Sequence, residues 1–260
     1  MLFAIDIGNT SINMGLFRGN EILHSWRLMS GIDRSADEYG SLISSLLTHY
    51  DVPVTSISGA VLCSVVPPLV PVFQEVGERY LHSRTLVIEP GIKTGMRLLV
   101  DNPRELGPDR VANAVAGASL YGTPLVVIDF GTATTFDVVS AGGDFLGGAI
   151  APGINIAAEA LYSRTAMLPR IELHKPKHAI GKGTVSAMQS GIIYGYIGLI
   201  QRILEEITAE LEASPKVVAT GGYAHMFARA IPAIAEANPD LSLIGLRLIY
   251  DMNKIEAERE

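Results

Sequence analysis

The sequence contains a single cysteine, Cys63. One cysteine excludes an intrachain disulfide, and it excludes a zinc centre built from several thiolates. Cys63 lies in the apolar run of residues 57–66, where we predict a buried strand and interpret the thiol as a small hydrophobic group. A catalytic thiol is the alternative interpretation.

Positive charge and long apolar runs are also scarce. The chain has 20 Lys and Arg against 27 Asp and Glu, with a formal net charge of −7, and no dense basic run, so it lacks the electrostatic pattern of a nucleic-acid-binding protein. No apolar run approaches the roughly 20 residues that cross a bilayer. The N-terminus lacks the basic and apolar segments of a signal peptide. We therefore expect a cytoplasmic protein that binds neither nucleic acid nor membranes.

Several common nucleotide-binding and catalytic motifs are missing. The segment 181–184 resembles the end of a P-loop, but an extra glycine separates Lys182 from Thr184 and no strand precedes it. No G-x-G-x-x-G follows a strand, and neither H-E-x-x-H nor G-x-S-x-G occurs. His174 and His178 lie in a connection rich in Pro and Lys, and we interpret them as solvated side chains rather than metal ligands.

The sequence does contain a polar turn after its first apolar run. Residues 2–5 predict a buried strand, and Asp6-Ile7-Gly8-Asn9-Thr10 follows directly. Glycine allows backbone N–H groups to approach a ligand closely, and a concave set of such groups suits a phosphate. The alternative is an ordinary β-turn in which Asn and Gly are the turn formers.

This opening pattern recurs later in the chain. Asp129 follows Asp6 by 123 residues, and the hairpin glycine Gly142 follows Gly19 by the same interval. Each half continues as a three-stranded meander followed by alternating helices and strands. We therefore predict two similar α/β lobes, residues 1–117 and 118–260, with a ligand-binding cleft between them.

The two turns suit phosphoryl transfer, which requires donors around phosphates and a divalent metal near carboxylates. From the first turn, we expect Asp6 to hold hydrated Mg²⁺ and residues 8–11 to donate to phosphate oxygens. From the second, we expect the same of Thr132, Thr134 and Thr135.

A third acidic position, Asp109, lies with Arg110 at a predicted helix start. The helix dipole favours an ionised carboxylate there, and Arg110 can bind a carboxylate in a bidentate manner. The alternative is that Pro108 and Asp109 are ordinary first-turn residues.

Hydrophobic periodicity predicts the remaining secondary structure. The predicted helices are residues 37–50, 69–81, 106–121, 153–163, 185–211 and 224–237. The predicted strands are residues 2–5, 12–17, 22–28, 57–66, 85–89, 125–128, 136–140, 145–150, 216–220 and 241–246. Thr184 is the expected N-cap of the long helix, and the charged segment 253–260 is expected to fray.

Short segments that occur in order along the chain match one known family. They are residues 6–11, 63–67, 101–103, 107–110, 129–135, 148–153, 163–166, 168–169, 181–184 and 220–222. In these segments the chain resembles the type III pantothenate kinases. The resemblance implies two ribonuclease-H-like lobes of the acetate/sugar kinase, Hsp70 and actin superfamily, with a cleft between them. It also implies ATP-dependent phosphorylation of pantothenate to 4′-phosphopantothenate, the first step of coenzyme A biosynthesis.

The resemblance further implies roles for individual residues. The first phosphate loop would comprise Asp6, Ile7, Gly8, Asn9, Thr10, Ser11, Ile12 and Asn13, and Thr132 would belong to the second. The pantothenate site would comprise Val100, Gly107, Pro108, Asp109, Arg110 and Thr184. Asp109 would accept the proton of the pantothenate hydroxyl, and Arg110 would face the pantothenate carboxylate. Asp129 would bind a monovalent cation, K⁺ or NH₄⁺, and Mg²⁺ would accompany ATP through water at Asp6.

The resemblance also implies a homodimer with the pantothenate pocket near the interface. Gly191, Gly195 and Gly198 fall on one face of the long helix, which suits close packing of helices either between subunits or within one. Two residues depart from the family pattern. Val100 replaces a common tyrosine, which puts the shape of the pocket in question, and Pro108 replaces a small residue at a position that tolerates proline. Alternatives to the kinase are a non-catalytic nucleotide-binding regulatory relative and a kinase of the same fold for another small alcohol.

Overall fold

The computed structural model describes residues 1–257, with side chains described through residue 254. These residues form two compact units, and the chain passes between the units more than once. Unit 1 comprises Met1–Arg97, Asp101–Ala116 and the residues from Asp240 onward, and unit 2 comprises Leu98–Val100 and Gly117–Pro239.

Strands and helices alternate through most of the described chain. The strands are β1 (Leu2–Ile7), β2 (Ser11–Arg18), β3 (Glu21–Met29), β4 (Gly59–Ser64), β5 (Thr85–Val87), β6 (Leu125–Phe130), β7 (Ala133–Val139), β8 (Phe145–Pro152), β9 (Lys216–Gly221) and β10 (Glu236–Ala237). The α-helices are α1 (Ala36–His49), α2 (Leu69–Tyr80), α3 (Pro108–Tyr121), α4 (Ile154–Ser163), α5 (Thr184–Leu211), α6 (Ala224–Ala230) and α7 (Leu241–Ala257). None of the described helices has both the length and the apolar character that crossing a membrane requires.

Each unit contains one sheet, and the two sheets have the same strand order. Unit 1 has the order β3-β2-β1-β4-β5, and unit 2 has the equivalent order β8-β7-β6-β9-β10. In each sheet three antiparallel strands are followed by parallel ones, which confirms the predicted repeat. The turn between β6 and β7 is one residue shorter than its counterpart, because Ile7 pairs with Ile12 whereas Phe130 pairs with Thr134.

Strand alternation determines which side chains of β1 face the core and which face α7. Phe3, Ile5 and Ile7 belong to the main core of unit 1, together with buried side chains of α1 and α2. Because successive side chains of a strand point to opposite faces, Asp6 lies on the other face, which α7 covers by packing on β1, β2 and β4. Asp129 in β6 has the equivalent position, since Ile128 and Phe130 belong to the core of unit 2.

The C-terminal segment differs from its prediction in structure and in location. Residues 241–246 begin helix α7 rather than forming a strand, because buried Leu243, Leu246 and Ile249 recur at helical spacing and a short apolar run does not distinguish the two structures. The prediction placed these residues in the lobe 118–260, whereas the residues from Asp240 onward lie in unit 1. Helix α7 also includes the start of the segment expected to fray, and residues 258–260 lie outside the described part.

Two other helix predictions were wrong at their ends. Helix α6 ends at Ala230, because the residue before Pro232 disfavours helical backbone and Ile231 is extended. The N-cap of α5 is Gly183, and Thr184 is its first helical residue.

Candidate active site

Asp6 is a buried carboxylate of unit 1 that accepts several hydrogen bonds. It lies near the end of β1 and is 9% exposed. Its Oδ1 accepts a hydrogen bond from Cys63 Sγ at 3.2 Å. Its Oδ2 accepts bonds from Ser242 Oγ at 2.9 Å and from Asn13 Nδ2 at 3.4 Å. Three other elements, β4, α7 and β2, thus hold one carboxylate.

The turn after β1 is closed by its own backbone and presents its tip to solvent. The Gly8 N–H donates to the Ser11 carbonyl at 3.0 Å, so this N–H group is already used within the turn. Ser30 donates from its hydroxyl to the Gly8 carbonyl and from its N–H to the Thr10 carbonyl. Asn9 and Thr10 are exposed. The turn can therefore present polar groups to an anion at its tip.

Three further residues of the predicted phosphate loop have mainly structural surroundings. The side chains of Ile7 and Ile12 are buried in the core, so these side chains do not contact a ligand. Asn13 donates to Asp6 and accepts a 2.9 Å hydrogen bond from Arg27 Nε. Asn13 therefore supports Asp6 from β2.

Asp109 lies close to Asp6 in unit 1, in the first turn of α3. Burial and the negative charge of Asp6 raise the pKa of the Asp109 carboxyl, although its hydrogen bond from the Arg110 N–H opposes that shift. The Arg110 N–H donates to Asp109 Oδ1 at 2.9 Å. Helix α3 begins at Pro108, which confirms that the helix start tolerates proline. The arrangement suits a carboxylate that accepts a proton.

Gly107 leaves the space that the Asp109 carboxylate occupies. A Cβ at residue 107 would lie 2.5 Å from Asp109 Oδ1, closer than a real contact permits. We expect Gly107→Ala to displace this carboxylate. With Asp109 in its expected role of proton acceptor, the displacement should lower turnover about 10-fold or more, because small misplacements of catalytic groups can be that costly. Steady-state kinetics and the melting temperature measure the effect, and unchanged turnover in a folded variant would contradict it.

In unit 2 the carboxylate of Asp129 lies beside two glycines. Asp129 is half-buried near the end of β6, where its backbone lies opposite Thr135 of β7 and Thr220 of β9 in the sheet. A Cβ at Gly221 would lie 2.5 Å from Asp129 Oδ1, and one at Gly131 would lie 3.5 Å from it. Gly221 also has a φ of +85°. The glycines therefore keep side chains away from this carboxylate.

The threonines of the second turn have different surroundings. Thr132 is exposed in the turn. Thr134 is fully buried and hydrogen-bonded to the Tyr196 hydroxyl, and Thr135 donates to Asp137 Oδ2 at 3.2 Å. The expectation that Thr134 donates to phosphate is therefore wrong, because its hydroxyl is enclosed in the core, and Thr135 already has an internal acceptor.

The other predicted substrate residues of unit 2 lie in separate segments. Val100 is half-buried beside β8, where a Cβ at Gly147 would lie 3.8 Å from its Cγ1, and Thr184 is exposed at the start of α5. His174 is exposed and contacts Glu172 at 3.1 Å. Within the described residues no group of three or more His, Cys, Asp and Glu side chains could hold a metal ion.

Two residues that hold Asp6 were not predicted as part of the site. Cys63 pairs with Asp6 across β1 and β4, a register that the sequence does not specify. Ser242 is 236 positions from Asp6 and lies in the segment that was predicted to be a strand. The internal repeat had identified Asp6 but not its partners.

Solved structures of low sequence identity share the fold of this chain. One is the activator of 2-hydroxyisocaproyl-CoA dehydratase from Clostridium difficile with bound ADPNP, with a TM-score of 0.58 and 12% identity over 100% of this chain and 97% of that chain. Another is component A of the (R)-2-hydroxyglutaryl-CoA dehydratase of Acidaminococcus fermentans, with a TM-score of 0.53 and 12% identity over 96% of each chain. The likeness shows the fold alone, an α/β fold with two mixed sheets.

Sequence comparison then identifies the family. The profile of the type III pantothenate kinases matches residues 2–206. A type III pantothenate kinase of Dehalococcoides mccartyi strain CBDB1 is 49% identical over 98% of this chain and 97% of its own length. One from Geobacillus kaustophilus is 46% identical over 97% of this chain and 98% of its own length. The chain belongs to the type III pantothenate kinase family, whose members are transferases of the first step of coenzyme A biosynthesis.

Proposed function

We propose that this chain transfers the γ-phosphoryl group of ATP to the primary hydroxyl of pantothenate, giving 4′-phosphopantothenate and ADP. The observation that carries the proposal is the pair of carboxylates in unit 1. Asp6 lies next to an exposed glycine-containing turn, and it is close enough to Asp109 for its charge to raise the pKa of that carboxyl. Phosphoryl transfer needs these parts, a phosphate-binding turn with a metal-side carboxylate and a proton acceptor.

Asp109 is the proton acceptor in this proposal. As the hydroxyl oxygen forms its bond to phosphorus, the bond from the γ-phosphorus to the bridging oxygen breaks and the hydroxyl proton moves to Asp109. The raised pKa of Asp109 supports the role, since a base works best when its pKa approaches the working pH. We assign Gly107, Pro108 and Arg110 to the pantothenate pocket, with Arg110 facing the pantothenate carboxylate.

We also assign Val100 and Thr184 to pantothenate binding, as the family resemblance implies. Thr184 is exposed at the start of α5, which leaves it able to contact a ligand. Val100 provides an apolar surface where the family commonly has tyrosine, and so we expect its main effect to be on pantothenate affinity.

The donors around Asp6 fit a magnesium ion that is held through water. An ionised carboxylate has about four acceptor positions, and Cys63, Asn13 and Ser242 occupy three of those of Asp6. One position remains, which suits a metal-bound water better than direct ligation by both oxygens. Asp6 would hold the ion through water, and the bound Mg²⁺ would neutralise the negative charge that develops on the phosphates.

In unit 2 we assign Asp129 to a monovalent cation and Thr132 to phosphate binding. The two glycines beside the Asp129 carboxylate support the cation site, because they leave room for an ion beside an oxygen ligand of the kind that hard cations take. The exposed position of Thr132 in its turn supports the phosphate contact.

A homodimer with the pocket near its interface is part of the proposal. Among the described residues, nothing lies within 4 Å of a Cβ built on Gly191, Gly195 or Gly198. Packing within one subunit therefore does not account for this glycine face of α5. Exposed Val185 and Tyr194 on the same helix add apolar surface that a partner subunit would cover. A cytoplasmic location, without nucleic-acid or membrane partners, completes the proposal.

A coupled ADP-release assay with and without pantothenate tests the proposed reaction. We expect pantothenate-dependent ADP formation that requires Mg²⁺ and is stimulated by K⁺ or NH₄⁺. Mass spectrometry of the product should show 4′-phosphopantothenate. Binding of ATP and pantothenate without turnover would instead identify a non-catalytic relative, and turnover of another alcohol alone would identify a different kinase. Sedimentation of the same sample tests the dimer, which a monomer at assay concentration would contradict.

A further inference from the structure

The carboxylate of Asp6 is oriented by hydrogen bonds to both of its oxygens. Cys63 Sγ holds Oδ1, and Ser242 Oγ holds Oδ2 at 2.9 Å. The second contact to Oδ2, from Asn13, is longer at 3.4 Å. Because Asp6 is only 9% exposed, bulk water has little access with which to replace a lost donor. Of the two hydrogen bonds to Oδ2, the one from Ser242 is therefore the shorter and the more important for the orientation of the carboxylate.

Ser242 approaches Asp6 from the first turn of α7. Ser242 is 8% exposed, and the Ile244 N–H donates to the Asp240 carbonyl at 3.0 Å, so the helical hydrogen bonding begins at Asp240. The first turn of a helix carries partial positive charge, which attracts a nearby carboxylate. Ser242 also lies beyond residues 2–206, the part that the family profile matches.

The same face of α7 contacts the helix that carries Asp109. Gly245 is three residues after Ser242, a spacing that places both on one side of a helix. A Cβ at Gly245 would lie 2.0 Å from the carbonyl oxygen of Ala112, so the backbones of α7 and α3 are in direct contact. Ala112 lies one turn after Asp109. Helix α7 therefore packs against both the strand that carries Asp6 and the helix that carries Asp109.

We propose that Ser242 is a positioning residue, whose hydroxyl orients Asp6 toward the water shell of the magnesium ion that accompanies ATP. This inference rests on the proposed function for its catalytic consequence. Cys63 holds the opposite oxygen in the same way.

Ser242→Thr and Ser242→Val form the matched test, because the two side chains have nearly the same shape and only threonine retains the hydroxyl. We expect Ser242→Thr to keep turnover within about 3-fold of the starting protein. We expect Ser242→Val to lower kcat about 10-fold or more and to need a higher Mg²⁺ concentration for half-maximal rate, in line with the loss of a bond to a charged group.

Calorimetric titration with ATP, with and without Mg²⁺, supplies a readout that does not depend on turnover. We expect Mg²⁺ to strengthen ATP binding in the starting protein and in Ser242→Thr, and to do so several-fold less in Ser242→Val. Binding of ATP without Mg²⁺ should be the same in all three proteins. Equal Mg²⁺ enhancement in the Thr and Val variants would overturn the inference, whatever their turnover.

Thr85→Val is the control for the removal of a buried hydroxyl in unit 1. Thr85 Oγ1 has no hydrogen-bond partner among the described residues, so this variant should leave both readouts unchanged. If the starting protein does not turn over pantothenate, the proposed function fails while the titration still decides the role of Ser242. If both Ser242 variants unfold, Cys63→Ser and Cys63→Ala repeat the comparison at Oδ1, and equal Mg²⁺ enhancement in that pair would likewise overturn the inference.

Discussion

Asp109→Asn should lower kcat about 100-fold or more, because a general base typically contributes a factor of this size. The KM for ATP should stay within about 3-fold of its starting value, because the nucleotide contacts are assigned to other residues. The amide has nearly the same shape as the carboxylate but accepts no proton. Steady-state kinetics with varied ATP and varied pantothenate measure the effect. Glu78→Gln in α2, which changes an exposed carboxylate of unit 1 by the same chemistry, is the matched control. Turnover within 3-fold of the starting protein would reject the assignment of Asp109 as the base.

The same substitution should make the protein more stable. The pKa of Asp109 is raised in the folded chain by burial and by the charge of Asp6, so its ionised form is disfavoured by folding at neutral pH. An uncharged amide removes that penalty. We expect the melting temperature of Asp109→Asn to rise by roughly 2–4 °C, the shift that about 1 kcal/mol gives in a chain of this size. A lower melting temperature would show that the ionised carboxylate stabilises the fold.

The pH dependence of this difference has a definite sign. A carboxyl whose folded pKa lies above its unfolded value binds protons more readily when folded, so its penalty grows as the pH rises from the unfolded to the folded pKa. The advantage of Asp109→Asn should therefore be largest above the folded pKa, and it should vanish as the pH falls toward about 4. Calorimetric melting of both proteins in Mg²⁺-free buffer at a series of pH values measures this difference in stability. Turnover of the starting protein should also fall as the pH decreases, because Asp109 becomes protonated.

The repeat and the two turns were predictable because they depend on local sequence. Apolar runs that end in Asp6 and Asp129, at an equal interval from the hairpin glycines Gly19 and Gly142, indicated two units with the same strand order, and the two sheets have that order. Each of these signals lies within about 15 residues of chain. Such short-range patterns indicate strands and turns without any knowledge of tertiary contacts.

The surroundings of those turns depend on contacts between distant residues and were not predictable in the same way. Ser242 reaches Asp6 only because its apolar segment packs as a helix on β1, an outcome decided by burial of Leu243 and Leu246 rather than by propensity. Thr134 looked like a phosphate donor because it follows Thr132, yet strand alternation directs it into the core, where Tyr196 covers it. Composition near a turn thus indicates a site without distinguishing the side chains that face inward.

Glycine positions carry a second kind of information that sequence alone does not reveal. Gly153 precedes α4 with a φ of −65°, a value that any residue adopts, so backbone conformation gives no reason for glycine there. The reason is space. A Cβ at this position would lie 2.1 Å from the Thr132 carbonyl oxygen and 2.7 Å from that of Gly131, so the start of α4 packs directly against the second turn.

Gly153→Ala should therefore disrupt the second turn and reduce both stability and nucleotide use. Neither carbonyl belongs to a flexible side chain, so the turn itself has to move, and forced contacts of this kind cost about 1–3 kcal/mol or more. We expect a melting temperature lower by roughly 4–10 °C. We also expect a KM for ATP at least about 10-fold higher, because the displaced backbone carries Thr132, which we assign to the phosphates.

Gly142→Ala in the turn between β7 and β8 is the matched control for this second prediction. A Cβ at Gly142 would meet its nearest neighbours at 3.7 Å, an ordinary contact, so this alanine should keep ATP use unchanged and the melting temperature within a few degrees. If Gly153→Ala bound ATP as the control does but melted at a lower temperature, its contact with the turn would be structural only, and the assignment of Thr132 to the phosphates would fail. If Gly153→Ala loses both stability and ATP affinity while Gly142→Ala keeps both, the packing of α4 is connected to nucleotide binding. The two substitutions add the same methyl group to one unit and differ only in the atoms that this group contacts.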